Sequence, residues 1–314
     1  NDTPHDPGDD FWVQEDKLTP WDVTEGDLFG ISVAIRGHRA IVGARDDDDA
    51  GSNSGSAYVF RHDDNDTPYD PTDDRWVREA KLTASDAAGG DRFGTSVSIS
   101  GDRAVVGAQL DDDAGSHSGS SYVFRCDDNA TPLDPSDDFW IQEDKLTASD
   151  AAGGDRFGVS VFISGDRIVV GAALDDDACL AEPTCDSGSA YVFRLDDNGT
   201  SSQATDDFWV QQAKLVASDM CEGDVFGASV TICGDQAIVG AHLDDDDRGE
   251  DSGSVYTFSI AGRCTDLLSF ANLQNCFSGD GGGVLSGCQI FNFDGDNDVD
   301  LDDYHLLLLT LERL

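Results

Sequence analysis

Residues 92–116 read RFGTSVSISGDRAVVGAQLDDDAGS. In its first half, Phe93, Thr95, Val97 and Ile99 alternate with Gly94, Ser96 and Ser98, the period of two that puts one set on each face of a β-strand. Gly101-Asp102 is a tight hairpin turn. RAVVGA, residues 103–108, is apolar without interruption, which fits a strand covered on both faces. Three consecutive aspartates then open a Gly/Ser loop.

The same order occurs four times. Phe226, Ala228, Val230 and Ile232 repeat the alternation, and Gly165-Asp166 and Gly234-Asp235 repeat the turn. A third segment, SSYVFR at 120–125, is rich in aromatic and β-branched residues. A fourth, WVREAKL at 76–82, is matched by FWVQEDKL, FWIQEDKL and FWVQQAKL. Asn1, Asn65, Asn129 and Asn198 are in register with a period of 64 residues, the last interval lengthened by a loop holding Cys179 and Cys185. The repeats run 1–64, 65–128, 129–197 and 198–260, each with four strand-like segments and no helical periodicity. A four-stranded antiparallel meander repeated in this way predicts an all-β chain forming a β-propeller of about four blades. If each blade takes its outer strand from the next repeat, the fourth lacks one unless Phe11–Leu18 returns to supply it. Three arrangements follow: a ring closed by that latch, an open arc, or a strand given to a neighbouring molecule, which would make a polymer.

The chain has 314 residues, with 64 Asp and Glu against 19 Lys and Arg and a net charge of −45. Its apolar content of 39% is that of a folded protein. Self-repulsion on this scale opposes compaction unless cations bind or salt screens it, and calcium, which takes hard carboxylate and carbonyl oxygens, is the expected cofactor. Nucleic acid is excluded as a partner, because there are no Lys/Arg clusters to meet phosphate. Eight cysteines without a CxxC pair predict disulfides formed in an oxidising compartment. The local pairs are Cys179–Cys185 and Cys276–Cys288, with Cys126, Cys221, Cys233 and Cys264 unassigned. No signal-peptide pattern or membrane span is present, and the mid-repeat start predicts a processed mature chain, extracellular or on a cell surface.

Phe93-Gly94 followed by Gly107-Ala108 resembles the FG-GAP repeat of integrin-type β-propellers, over about residues 11–260. Runs such as KLTASD, GDRFG, VVGA and SGSAYVF resemble the bacterial secreted branch. The resemblance implies a non-catalytic role in adhesion or structure. Two departures stand out: the residue after Gly-Ala is Arg45, Gln109, Ala173 or His242, and no integrin-type calcium loop separates FG from GA, so calcium ligation does not carry over there.

The remainder, 261–314, differs. FNFDGDNDVDLDDY at 291–304 fits a calcium loop with Asn292, Asp294, Asp296, the Asp298 carbonyl, Asp300 and Asp303 as ligands, Asn297 at the tight turn and apolar Val299 at loop position eight. A start at Asp294 would put Val299 at a turn that needs positive φ. With LLSFANLQNCF before it and YHLLLLTLERL after it, the segment resembles a small α-helical, EF-hand or dockerin-like module with only its second loop intact. Leu306–Leu309, Leu311 and Leu314 would dock on Leu267, Leu268 and Phe270 or leave a face for a partner.

The acid runs Asp46–Asp49, Asp111, Asp112 and Asp113, Asp175, Asp176 and Asp177, and Asp244–Asp247 allow two readings: calcium sites completed by carbonyls and Ser hydroxyls, or solvated loops. The sequons at Asn1, Asn65, Asn129 and Asn198 either carry glycans or are Asx turns that recur because the blade recurs. No Ser/His/Asp set converges and no phosphate-binding loop follows a strand, so the chain is read as no enzyme. The functional expectation is a secreted, calcium-binding structural or adhesion protein, a building block of an extracellular assembly such as a filament. Its partners would be copies of itself, a cell-surface protein or glycans. The alternatives are a dockerin-type cargo-docking module and a carbohydrate-binding or hydrolytic propeller.

Overall fold

The computed structural model describes residues 12–65, 74–129, 137–176, 185–198, 207–245, 249 and 251–260. The chain divides into a unit Asn1–Ser259 and a second, Ile260–Leu314. The helical module read at 261–314, with its calcium loop and leucine-rich end, lies outside the described residues. Within the described part no helix is long and apolar enough to cross a membrane.

Among the described residues fifteen strands follow one another: β1 (Phe29–Arg36), β2 (Arg39–Ala44), β3 (Ser56–Asp63), β4 (Arg75–Leu82), β5 (Phe93–Ser100), β6 (Arg103–Ala108), β7 (Ser120–Asp127), β8 (Phe139–Leu146), β9 (Phe157–Ser164), β10 (Arg167–Ala172), β11 (Ser189–Asp196), β12 (Phe208–Leu215), β13 (Phe226–Cys233), β14 (Gln236–Ala241) and β15 (Ser254–Ser259). They form four antiparallel meanders, β1-β2-β3-β4, β5-β6-β7-β8, β9-β10-β11-β12 and the three-stranded β13-β14-β15. The outer strand of each complete sheet is the Trp strand that opens the next repeat.

The FG and GA dipeptides are explained by the junction between sheets. Phe93 pairs with Ala108, but the next paired residue on β5 is Ser96, opposite Gly107. The intervening bulge is turned by Gly94 at φ +91°. It breaks the strict alternation expected for FGTSVSI, yet Phe93, Val97 and Ile99 still share one core. Gly107 on β6 faces the next repeat's Gly158 so closely that a Cβ would come within 2.0 Å of the Gly158 carbonyl oxygen. Ser96 Oγ donates to that same oxygen at 2.8 Å. Gly43 with Gly94, and Gly171 with Gly227, make the same contact. A parallel bridge, Gly55↔Phe93, Gly119↔Phe157 or Gly188↔Phe226, ties the sheets a second time.

The core lies between successive sheets. Phe93, Phe157 and Phe226 are fully buried, each edge-on to a Tyr and a Phe of its own sheet, as Phe93 is to Tyr122 and Phe124. Burying one such ring is worth roughly 1.5–3 kcal/mol. Inner strands pack in chain order, β1 on β5, β5 on β9 and β9 on β13. Among the described residues β13 has no comparable packing on β1.

The closing latch, one of the three arrangements open to Phe11–Leu18, is not formed among the described residues. Residues 12–18 are not in a strand, and the Trp12 side chain is fully exposed. The fourth sheet keeps three strands. The segment's far end is nonetheless anchored on the first sheet, where Leu18 packs with Val42, Tyr58 and Phe60 and Trp21 stands edge-on to Tyr58.

Candidate functional site

The acid runs resolve into one cluster per sheet with a distinct task for each residue. In the second sheet the loop leaves β6, and the first acid, Asp111, is only 3% exposed while Asp112 and Asp113 are exposed. Asp111 accepts from Tyr122 OH at 2.7 Å and from Ser120 Oγ at 3.0 Å. Lys145, on β8, places its ammonium 3.1 Å from Asp111 and 2.7 Å from Asp86, and also contacts Asp113. Asp112 points the other way and accepts from His117 N at 2.7 Å, closing the loop. Consecutive carboxylates thus avoid mutual repulsion: one is buried on a tyrosine, one caps backbone and one shares a lysine.

The first and third sheets repeat the arrangement. Lys81 pairs with Asp22, Asp47 and Asp49, and Lys214 pairs with Asp150 and Asp175 at 2.9 and 3.0 Å. Each lysine also lies over its tyrosine ring, 5.0 to 5.3 Å from the centroid. Strand pairing sets this geometry, since Lys81 is opposite Tyr58, Lys145 opposite Tyr122 and Lys214 opposite Tyr191.

Burial, and then the neighbouring carboxylates, push the phenols of Tyr122 and Tyr191 well above their ordinary range. Burial works against the charged forms of Lys81 and Lys145, but hydrogen bonds to the surrounding aspartates outweigh it and raise both. Burial likewise tends to raise Asp86 and Asp150, and the lysine and tyrosine donors reverse it, so both end below the usual carboxylate value. Asp91 and Asp224 go the other way, raised chiefly by burial.

The fourth sheet has the same carboxylates and no lysine. Tyr256 OH donates to Asp219 at 2.9 Å and to Asp244 at 3.2 Å. Among the described residues no ammonium reaches them. Tyr256 is also only partly buried, whereas Tyr58, Tyr122 and Tyr191 are fully so. Both differences trace to the missing outer strand.

Among the described residues two groupings have ligand atoms close enough to share a cation: Asp86, Asp111 and Asp113, and Glu79, Cys126 and Asp138. A divalent ion in the first would have to displace Lys145. The second is bridged by Arg39, whose guanidinium lies 3.0 Å from Glu79 and 2.8 Å from Asp138. Trp140 Nε1 adds a bond to Glu79 at 2.7 Å. Arg103, Glu143 and Asp207 repeat this tie between the second and third sheets. Cys126 sits beside the Arg39 cluster with its thiol pushed up to about 12 by burial. Cys126, Cys221 and Cys233 are free thiols, so the disulfides expected for them are not formed; Cys126 instead packs inside a sheet junction. Cys185 is fully buried and held in a disulfide; Cys179, Cys264, Cys276 and Cys288 lie outside the described residues, and with them the rest of the two local pairs.

Of the calcium candidates, Asp111, Asp112, Asp113 and Asp175 take the places given above, and Asp176 beside Asp175 is half-buried. Asp177 and the loop Asn292–Asp303 lie outside the described residues, as does Asn1. Asn65, Asn129 and Asn198 are exposed with φ of 51°, 50° and 50°. Their backbone N–H groups donate to Asp63, Asp127 and Asp196 at 3.2, 2.9 and 3.0 Å. The acid two residues before each Asn therefore builds an Asx turn. Sequence reasoning missed the lysine and tyrosine of the clusters, although Lys81, Lys145 and Lys214 are the basic residue common to every Trp strand.

A search among curated proteins finds no match. The family model described as FG-GAP repeat matches residues 12–60, 76–124, 140–193 and 209–258. Each match begins on the tryptophan of a Trp strand and ends on the last aromatic of the YVF-type strand. Four matches covering more than half the chain, on four antiparallel sheets joined through their FG and GA glycines, make this chain a member of the FG-GAP repeat family, with a β-propeller type of architecture.

Proposed function

We propose that the protein is a non-catalytic structural component of an extracellular or cell-surface assembly, built by association of copies of this chain. The observation that carries the reading is that the first and fourth sheets each leave exposed what every internal junction buries. On β1, Val33 and Ile35 are 69% and 66% exposed, while their counterparts on β5, Val97 and Ile99, are 8% and 5% exposed. On the fourth sheet, Ile238 and Val255 are also open. Apolar strand faces of this kind, bordered by a strongly acidic rim, suit a protein interface. The described lysine and arginine clusters of the first three sheets are locked in ion pairs within and between sheets, which favours structure over catalysis.

Sedimentation velocity of the full chain tests the reading. Species at multiples of 33.4 kDa, growing with protein concentration, are expected. A single 33.4 kDa species across the whole range would overturn it.

Calcium belongs to this reading through the loop Asn292, Asp294, Asp296, Asp298, Asp300 and Asp303, supported by ligand spacing. Calorimetric titration with calcium is expected to show a site that Asp294→Ala with Asp303→Ala removes. Binding unchanged by that double substitution would place the ion elsewhere. An oxygen-ligated calcium, a net charge of −45 and the exposed sequon turns all fit an environment rich in salt and calcium.

A further inference from the structure

We propose that the fourth sheet is completed by a second copy of the chain, which donates Trp12–Leu18 as the outer strand beside β15 and places Lys17 between Asp219 and Asp244. This rests on the assembly reading above and specifies its junction.

Trp12–Leu18 matches β4, β8 and β12 by sequence, yet among the described residues it has no strand partner. The internal register fixes where it belongs. Lys81 is opposite Tyr58 and Val77 opposite Arg61, and the other two complete sheets agree. Carried to the fourth sheet, that register sets Lys17 opposite Tyr256 and Val13 opposite Ser259. Lys17 is exposed and has no ion pair among the described residues, while Asp219 and Asp244 form the one described cluster that lacks its lysine. Gln14 falls at the position of Gln142 and Gln211, whose side-chain oxygens accept from Ser85 N and Ser149 N at 2.9 Å each. Charge, register and hydrogen bonding therefore agree on one occupant.

The rest of the junction is also waiting. Beside Gly240 lies a depression of about 340 Å³ lined by Ser229, Gly240, His242 and Val255. At the internal junctions the corresponding place is filled by the next Phe-Gly. Gly30, whose counterparts Gly94, Gly158 and Gly227 are pressed against the preceding sheet, has nothing within 4 Å of a built Cβ. Phe29-Gly30 of the second copy fits that depression.

The occupant is a second copy because the donor strand travels with the first sheet. Leu18, Trp21 and Asp22 are fixed on Tyr58 and its neighbours, with Asp22 2.8 Å from Tyr58 OH. Asp150 meets Tyr191 OH in the same way at 2.9 Å. The strand can reach a fourth sheet only where a first sheet packs against it, and among the described residues β1 has no such packing on β13 of its own chain. The contact is heterologous and head-to-tail, so it propagates as a filament or closes as a ring of several copies.

The test mixes two full-length variants, Val13→Cys and Ser259→Cys, each with the exposed free thiols removed by Cys221→Ser and Cys233→Ser, under a mild oxidant. A disulfide-linked dimer is expected in the mixture and in neither variant alone. Lys17→Glu or Gly240→Ala is expected to abolish it. Gly240→Ala is chosen because the Cβ would strike the incoming Gly30 backbone, while inside the monomer it meets only the rotatable Ser229 hydroxyl at 2.5 Å. A link formed within single molecules of the Val13→Cys, Ser259→Cys double variant would overturn the proposal in favour of self-closure. A dimer link insensitive to both Lys17→Glu and Gly240→Ala would also overturn it. If sedimentation shows assembly but no link forms, strand donation falls and the assembly reading stands. If neither appears, both fall.

Discussion

Replacing Lys145 with methionine is expected to destabilise the fold by about 3 kcal/mol, because removing one member of a buried ion pair strands the other. Asp111 would keep the hydroxyls of Tyr122 and Ser120 and the backbone N–H of Asp113 as partners, none of them charged, at 3% exposure. Asp86 and Asp113 would lose the same cation. Urea unfolding of Lys145→Met, Asp111→Asn and the double variant measures the coupling, and the double variant is expected to recover part of the loss. A cost under about 0.5 kcal/mol would make Lys145 an ordinary surface ion pair. The pH dependence carries the same signature. Lys81 and Lys145 are raised on folding, so their stabilisation is complete below the ordinary lysine value of 10.5 and is lost only as pH rises through the higher folded value. Asp86 and Asp150 are lowered, so theirs is present above the ordinary 3.8 and is lost as pH falls through the lower folded value. Asp91 and Asp224, raised on folding, oppose this on the acid side.

Gly107→Ala is expected to cost about 3 kcal/mol or to prevent folding, at the upper end of overpacking effects. Its φ is not in the left-handed region, so the penalty is steric: the added Cβ would lie 2.0 Å from the Gly158 carbonyl oxygen. A carbonyl of a paired backbone cannot step aside as a side-chain tip can, and the second and third sheets would have to part. The loss should include the hydrogen bond from Ser96 to the same oxygen. Gly43→Ala and Gly171→Ala should behave alike at the other two junctions. Thermal melting checks the series, and a Gly107→Ala protein that melts with the wild type would show that the GA glycine does not set the sheet spacing.

Much of the fold was legible because it repeats. Four copies of FG and GA, with three of Gly-Asp and three of YVF, placed the strands and their order, and the Trp strand was correctly given to the sheet of the preceding repeat. The bulge at Gly94 was not legible, since its cause is the approach of another sheet and not the local alternation. The acid runs were legible as unusual but not as clusters. Their partners, Tyr122 and Lys145, lie on strands 11 and 34 residues away from Asp111, and only strand register brings them together. Disulfides failed as an expectation for Cys126 because an even cysteine count carries no distance information. The unfinished fourth sheet was visible in the sequence as a choice among latch, arc and donated strand. Leu18 and Trp21, already seated on the first sheet, narrow that choice.

The central claim is that one junction, repeated three times inside the chain, is repeated again between chains. Amide hydrogen exchange at two protein concentrations addresses it directly, because a donated strand and its acceptor must be protected together and only when copies meet. In concentrated protein, peptides covering 12–18 and β15 are expected to exchange as slowly as β4 and β7, and on dilution both should become fast while the internal strands stay slow. Protection of 12–18 and β15 that is unchanged by dilution, or absent at every concentration, would contradict the account.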